Sequence, residues 1–217
     1  MGRKNPADTD ISTSKVLSPS KFSRKSRKLP RSFYARPTLE VARDLLGKRI
    51  VYRSSEGRLS ARIVEVEAYI GQNDPACHAA RGKTTRNAVM FGKPGFSYIY
   101  FIYGMYNCLN FVTESEGFPA AVLLRAAEPE EGLDLMLTSG KNQRRETVLS
   151  GPGKFCRAFG LSREQSGMDL TGSELFLEDR GETPENITVT TRVGIKVGVM
   201  LPWRFYVSDS PAVSKPR

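Results

Sequence analysis

Leu59-Ser60-Ala61-Arg62-Ile63-Val64-Glu65-Val66-Glu67-Ala68-Tyr69-Ile70 is the stretch whose pattern decides the fold. In an extended chain successive side chains point to opposite faces. Val64, Val66, Ala68 and Ile70 therefore share one face and Glu65, Glu67 and Tyr69 the other. The first face reads as core, and the second sets two carboxylates and a phenol side by side at the end of a strand. Upstream, Arg49 to Arg53 is a second apolar run, separated from the first by Ser54-Ser55-Glu56-Gly57. Two β-prone runs joined by a short polar turn predict an antiparallel hairpin.

Working outward, Thr38 followed by Leu39 to Gly47 reads as a short helix, with Thr38 as N-cap and Gly47 as its stop. The segment from Gly71 to Gly95 is rich in Gly, Asn, Pro, Lys and Arg and lacks periodicity. It predicts a long loop with one helical turn at most, and long loops inside a compact domain usually carry function. A second hairpin follows: Tyr98-Ile99-Tyr100-Phe101-Ile102-Tyr103-Gly104-Met105-Tyr106-Asn107 holds four tyrosines, a phenylalanine and a methionine in ten residues. Further expectations are a strand from Ala120 to Ala127, a helix from Glu130 to Thr138, a helix at Phe155 to Phe159, and strands near Leu175 to Leu177, Ile187 to Val199 and Arg204 to Val207. With neither an internal repeat nor βαβ alternation, the prediction is a single α+β domain with a largely antiparallel, curved β-sheet flanked by helices.

The chain's 217 residues carry a formal charge of +10, and residues 1–31 hold nine Lys or Arg against Asp8 and Asp10. That leading segment, rich in Ser and Lys and without an apolar period, predicts a disordered basic tail, with the folded domain spanning residues 32–217. A basic arm of this kind raises non-specific affinity for nucleic acid. No run reaches membrane-spanning length and no signal-peptide core is present, so a soluble, intracellular protein is expected, cytoplasmic in a bacterium or nuclear in a eukaryote. Cys77, Cys108 and Cys156 are odd in number and widely spaced, and His78 is the sole histidine. Neither a disulfide framework nor a zinc site follows from such a set, and no cofactor or metal is expected.

An aromatic cluster in a basic chain points to nucleic-acid bases. Lysines and arginines attract phosphates without reading sequence, whereas ring faces accept a base only once it has left the duplex stack. Arg81, Lys83 and Arg86 in the long loop, and Lys154 at the start of the 155–159 helix, are candidate contacts to the DNA backbone. A carboxylate beside an aromatic wall is partly desolvated, which raises its basicity and suits it to activate water. Alternation alone does not choose between Glu65 and Glu67.

The order and near spacing of several motifs resemble those of the alkyladenine (3-methyladenine, or alkylpurine) DNA glycosylases. They are Glu65-Val66-Glu67-Ala68-Tyr69, Cys77-His78, Thr85-Arg86-Asn87, the aromatic hairpin, Asn110, Val122-Leu123-Leu124-Arg125-Ala126, Ser150-Gly151-Pro152-Gly153-Lys154, Arg192-Val193-Gly194 and Trp203-Arg204-Phe205-Tyr206. The resemblance runs from about Phe33 to Ser214. It implies that Glu67 is the general base and that Arg125 helps to hold the attacking water, with a main-chain carbonyl near Val193 as a further ligand. It implies that Tyr69, His78 and Tyr100 wall the flipped base and that Asn110 crowds the amino group of normal guanine. It also implies that Tyr103, at the tip of a hairpin projecting toward DNA, wedges into the duplex. The expected partner is duplex DNA containing damaged purines, attacked by a monomer that acts only as a hydrolase, since no lysine falls within the matched pocket motifs to form a Schiff base. Two departures stand out: Ile195 to Pro202 is more apolar than the family's loop, and Phe96 and Phe101 bear on the pocket wall. The rival readings are a catalytically silent damaged-DNA-binding protein and a base hydrolase acting on RNA or nucleotides.

Overall fold

The computed structural model describes residues 1–2, 26–138, 140 and 143–214. Most of the predicted tail, residues 3–25, lies outside the described residues. Backbone pairing starts at Arg27, where the two-residue strand β1 (Arg27–Lys28) joins the sheet ahead of the helical turn α1 (Arg31–Tyr34). Helix α2 (Thr38–Leu45) buries Val41, Ala42 and Leu45 and ends at Gly47, whose φ of +83° is the left-handed turn glycine adopts most cheaply. Thr38 is not the N-cap that the sequence suggests, because Pro37 occupies that place. The Thr38 N–H and hydroxyl both donate to Glu114, at 2.6 and 2.8 Å, so a distant carboxylate satisfies the helix start.

Strands β2 (Arg49–Ser54) and β3 (Gly57–Ile70) form the predicted hairpin. After the loop of residues 71–95, which contains one 3₁₀ turn at Ala88–Phe91, come β4 (Ser97–Ile102), β5 (Tyr106–Val112) and β6 (Ala120–Glu131). The chain then runs through α3 (Leu133–Thr138), α4 (Pro152–Ala158), β7 (Leu175–Asp179), β8 (Ile187–Thr190) and β9 (Arg204–Val207). All nine strands of the described residues join one antiparallel sheet in the order β1-β7-β2-β3-β6-β5-β4, while β9 pairs with β8 and with the second half of β3.

Two elements differ from expectation. The helix predicted from Glu130 starts only at Leu133, because β6 continues through Pro129. The register against β3 steps from Ser60–Glu131 to Ala61–Pro129, an irregularity that accommodates a residue unable to donate to the ladder. The strand predicted from Ile187 to Val199 ends at Thr190, and the apolar segment beyond it is a loop in which Gly194 and Gly198 have φ of +75° and +63°. Both faces of β3 are buried: Ile63, Val64 and Val66 join the main core with Leu45, Phe111, Leu124 and Phe155, while Glu65 and Glu67 are fully enclosed. A smaller core of Cys77, Ala79, Met90, Tyr98, Val112 and Ala121 lies under the long loop, with Tyr69 and Tyr100 packed against it. Among the described residues no helix is long and apolar enough to cross a membrane.

Candidate active site

Glu67 lies in the second half of β3, opposite Leu123 of β6 on one side and Arg204 of β9 on the other. Just before it the ladder is irregular: Ile63 faces Ala127, Glu65 faces Ala126 and Val66 faces Leu124. Such bulges re-aim side chains beside functional sites. The two glutamates are thereby separated in role. Glu65 Oε1 accepts from Arg125 Nε at 2.9 Å, Arg204 Nε at 2.7 Å and the Ser214 hydroxyl at 2.8 Å, and Oε2 accepts from the Ser214 N–H at 2.6 Å. It is a buried hub, saturated by protein donors.

Glu67 is less occupied and faces the rings. Its Oε2 accepts from the Tyr69 hydroxyl at 2.9 Å, and its Oε1 accepts from the Val193 N–H at 2.7 Å and lies 3.3 Å from Arg125 Nη1. Val193 thus reaches the carboxylate through its amide nitrogen, where the family resemblance points to a nearby carbonyl. Burial, then the Glu67 charge and the hydrogen bond to it, push the Tyr69 phenol far above its usual value, so it stays protonated and donates. Burial alone pulls Arg125 down, but Glu67 and Glu65 more than reverse that, and the guanidinium is held above its ordinary value. Arg125 therefore bridges the two glutamates as a permanent cation.

The ring wall comes from three elements. Tyr69 follows Glu67 by two residues on β3, Tyr100 comes from β4, and His78 is carried by the long loop. The rings of His78 and Tyr100 meet edge-on with centroids 4.3 Å apart, and His78 Nδ1 is 2.9 Å from the Tyr98 hydroxyl. The loop is held by Asn87, whose Nδ2 donates to the carbonyls of His78 and Gly82 at 2.9 and 3.0 Å. Cys77 and Ala79 on either side of His78 are buried anchors. Desolvation against these rings, then the Arg86 charge, push the exposed His78 from 6.5 down to about 4, so its imidazole is neutral near pH 7. Asn110 of β5 is buried, and its side-chain amide donates to the Tyr98 and Cys108 carbonyls at 3.0 and 3.2 Å.

Tyr103 and Gly104 turn the β4–β5 hairpin with φ of +54° and +65°, and the Met105 N–H closes the turn on the Ile102 carbonyl at 3.2 Å. A tyrosine in the left-handed region is costly, and such strain concentrates at functional sites. Its ring is 75% exposed and stands with exposed Phe101, Met105 and Tyr106 as an apolar tip. Of the candidate backbone cations, Arg86 contacts this tip. Arg86 donates to the Phe101 carbonyl at 3.1 Å and lies 5.7 Å from the Tyr100 ring centroid. Arg81, Lys83 and Lys154 are exposed, with Lys83 5.7 Å from the Phe91 ring and Lys154 near the Thr147 carbonyl at 3.4 Å. Arg163, not singled out from sequence, lies 5.9 Å from the Phe101 ring.

Two further residues escape sequence reasoning. Asp74 and Arg192 form a fully buried fork-to-fork pair at 2.6 and 2.8 Å directly behind Tyr69. Arg192 belongs to one of the family motifs, but Asp74 sits in a polar loop that gives no periodic signal. A surface groove of about 420 Å³, lined by Phe33, Arg36, Leu46, Lys48, Asp179 and Ile187 among others, shares no residue with this cluster, and its Lys48 and Arg36 already pair with Asp179 and Asp44.

An enclosed carboxylate at the foot of a ring wall, with cations and an exposed aromatic hairpin tip on neighbouring elements, makes up the candidate site. The chain belongs to the methylpurine-DNA glycosylase family, whose model matches residues 32–211. It is 54% identical over 192 residues to a protein of Methanocella arvoryzae, spanning 86% of this chain and 96% of that relative. It is 49% identical over 191 residues to a protein of Carboxydothermus hydrogenoformans (86% and 98% of the two chains) and 46% identical over 200 residues to one of Alkaliphilus oremlandii (87% and 99%). All three relatives carry the name "Putative 3-methyladenine DNA glycosylase".

Proposed function

We propose that the protein binds duplex DNA as a monomer, everts an alkylated or deaminated purine of the 3-methyladenine type into the Tyr69–His78–Tyr100 wall, and hydrolyses its N-glycosidic bond. The observation that carries this reading is the Glu67 carboxylate, hydrogen-bonded at 2.9 Å to the phenol of a ring in that wall and anchored from behind by Arg125 and the Val193 amide. Glu67 has no exposed surface, so it meets water only when the site opens around a nucleotide. The nucleophilic water then donates to Oε2 beside the Tyr69 hydroxyl, on the oxygen's second lone pair. For a cationic alkylated purine the bond between C1′ and the purine nitrogen breaks with its electron pair neutralising the base, the water oxygen bonds to C1′, and the water proton passes to Glu67; a neutral deaminated purine leaves as an anion and takes up a proton from solvent. The products are a free base and an abasic site in an intact strand.

An alkylated purine carries positive charge, which makes it a good leaving group and draws it to tyrosine faces, worth on the order of 1–2 kcal/mol when desolvated. Glu67 also stabilises the oxocarbenium-like sugar as charge develops. Tyr103 fills the gap left in the duplex, offsetting an unstacking cost of about a few kcal/mol. Buried Asn110 crowds the amino group of a normal guanine. Arg81, Lys83, Arg86 and Lys154 hold phosphates, and the basic segment 1–31 adds sequence-independent attraction.

The deciding experiment is a single-turnover assay on duplexes containing 3-methyladenine, 7-methylguanine, hypoxanthine or ethenoadenine, with free nucleoside and single strands as comparisons. Glu67→Gln is expected to keep lesion binding and to lose base release. Equal release by parent and variant would end the assignment, and preference for free nucleoside or RNA would favour a nucleotide hydrolase.

A further inference from the structure

Six buried charges of both signs gather below the ring wall: Glu65, Glu67 and Asp74 with Arg125, Arg192 and Arg204. Glu65, Arg125 and Arg204 serve one another and Glu67. The Asp74–Arg192 pair has no part in that reading, yet Arg192 adjoins two of the three groups that touch Glu67, Tyr69 and Val193. Its Nη1 donates to the carbonyl of Ala68, the residue between Glu67 and Tyr69, at 3.0 Å. Its guanidinium lies between the rings of Tyr69 and Trp203, at 4.6 and 5.0 Å from their centroids. The residue that follows it, Val193, donates its N–H to Glu67. That peptide lies beyond the end of β8, where no strand ladder fixes it, so the Arg192 side chain is its anchor.

Asp74 is itself held in place, its Oδ1 accepting from the Ala76 N–H at 3.0 Å and its Oδ2 from the Ile70 N–H at 3.3 Å. A buried ion pair is a poor way to gain stability, since well-packed apolar side chains do as well or better. Placed between Tyr69 and Val193, it does something apolar groups cannot, which is to tie the Ala68 carbonyl of β3 to the Asp74 loop by directional bonds while the guanidinium lies on the Tyr69 ring.

We propose that Asp74 and Arg192 are a positioning pair for base release: Arg192 holds Tyr69 and the Val193 amide against Glu67, and Asp74 cancels the charge that Arg192 brings to the carboxylate. The proposal rests on Glu67 as the general base. Glu67 interacts with Tyr69 of its own strand, Arg125 of β6, Cys108 of β5 and Arg192 beyond β8, while Glu65 with Arg204 pairs behind Arg125 and Asp74 pairs behind Arg192. Removing the negative charge of Asp74 leaves an arginine that cannot deprotonate. An unneutralised cation favours ionised carboxylates nearby, so the pH at which base release fails on the acid side moves down.

The test is single-turnover base release from a lesion duplex over a pH series, with Asp74→Asn, Arg192→Lys and Glu67→Gln in parallel. Folding is followed by the emission of Trp203, the chain's one tryptophan, which packs on Arg192. Asp74→Asn is expected to shift the acid limb to lower pH with a reduced maximal rate. Arg192→Lys keeps the charge but loses the fork, so its acid limb stays in place while its maximal rate drops about 100-fold, the penalty of a roughly 1 Å misplacement. An acid limb unmoved in folded Asp74→Asn, or parental rates in Arg192→Lys, would overturn the pair's role. Should Asp74→Asn fail to fold, Arg192→Lys decides alone on rate and limb. Parental release by Glu67→Gln is a separate outcome that removes the base itself.

Discussion

Glu65 and Glu67 differ in position by two residues of one strand, and substituting each by glutamine should separate stability from chemistry. Glu65 takes four donors, two guanidinium N–H groups and the Ser214 hydroxyl and N–H. A glutamine offers one oxygen, so its NH₂ must face either the two arginines or the Ser214 amide. At least one buried donor then loses its acceptor, and Arg125 and Arg204 lose a counter-charge. Breaking a buried charge pair costs about 3–5 kcal/mol because the partner stays charged and enclosed. For a chain of this size that lowers Tm by roughly 6–20 °C, at about 2–4 °C per kcal/mol. Glu67→Gln keeps its acceptor for Val193 or Tyr69 and leaves the Arg125–Glu65 bond intact, so its loss of Tm should be clearly smaller. Thermal melts of the two variants, followed by Trp203 emission, with base release measured alongside, provide the comparison. A Tm for Glu65→Gln within about 2 °C of the parent, below a 1 kcal/mol loss, would refute the view of Glu65 as the hub holding the carboxyl-terminal segment and both arginines together.

Tyr103→Gly removes a ring but also relieves a left-handed tyrosine, a strain of about 1–2 kcal/mol. The folded protein should be unchanged or slightly more stable in a melt while its capture of a lesion duplex weakens, and undiminished binding would count against the wedge. His78 has its value lowered to about 4, so below 6.5 the unfolded chain takes up a proton that the folded chain refuses. Its contribution is complete above 6.5 and is lost as pH falls through that window, less steeply than for an enclosed ring because His78 is exposed. His78→Gln should flatten the fall of stability in denaturant titrations across those pH values, and an unaltered slope would contradict it. Deleting residues 2–25 removes Arg3, Lys4, Lys15, Lys21, Arg24 and Lys25. Affinity for undamaged duplex should drop, and log K against log salt should become shallower by about 0.9 for each phosphate that the arm neutralises in the parent. A slope equal to the parent's would exclude an arm on the DNA.

What the sequence made legible follows the range of the interactions involved. Both hairpins, helix α2 with its Gly47 stop and the face shared by Glu67 and Tyr69 depend on neighbours within a few residues, and each stands where periodicity and turn chemistry put it. The misplaced boundaries have non-local causes. Glu130 reads as a helix start, yet tertiary pairing with β3 carries the strand past it, and Thr38 looks like a cap until Glu114 is found doing the capping from 76 residues away. Alternation could not choose between the two glutamates for the same reason, and only the family resemblance pointed to Glu67. The donors that saturate Glu65 arrive from Arg204 and Ser214, 139 and 149 residues downstream, and the amide that fixes Glu67 comes from Val193, 126 residues downstream. Alternation also gave no sign that the glutamate face of β3 is fully enclosed, whereas Glu65 and Glu67 have no exposed surface and Val193, beside Arg192, bonds to Glu67. On the proposed function, a carboxylate with no free surface would be idle until a nucleotide opens the site, which would link cleavage to the same event that extracts a base from the stack. Normal bases, which pair and stack better than damaged ones, reach that event less often.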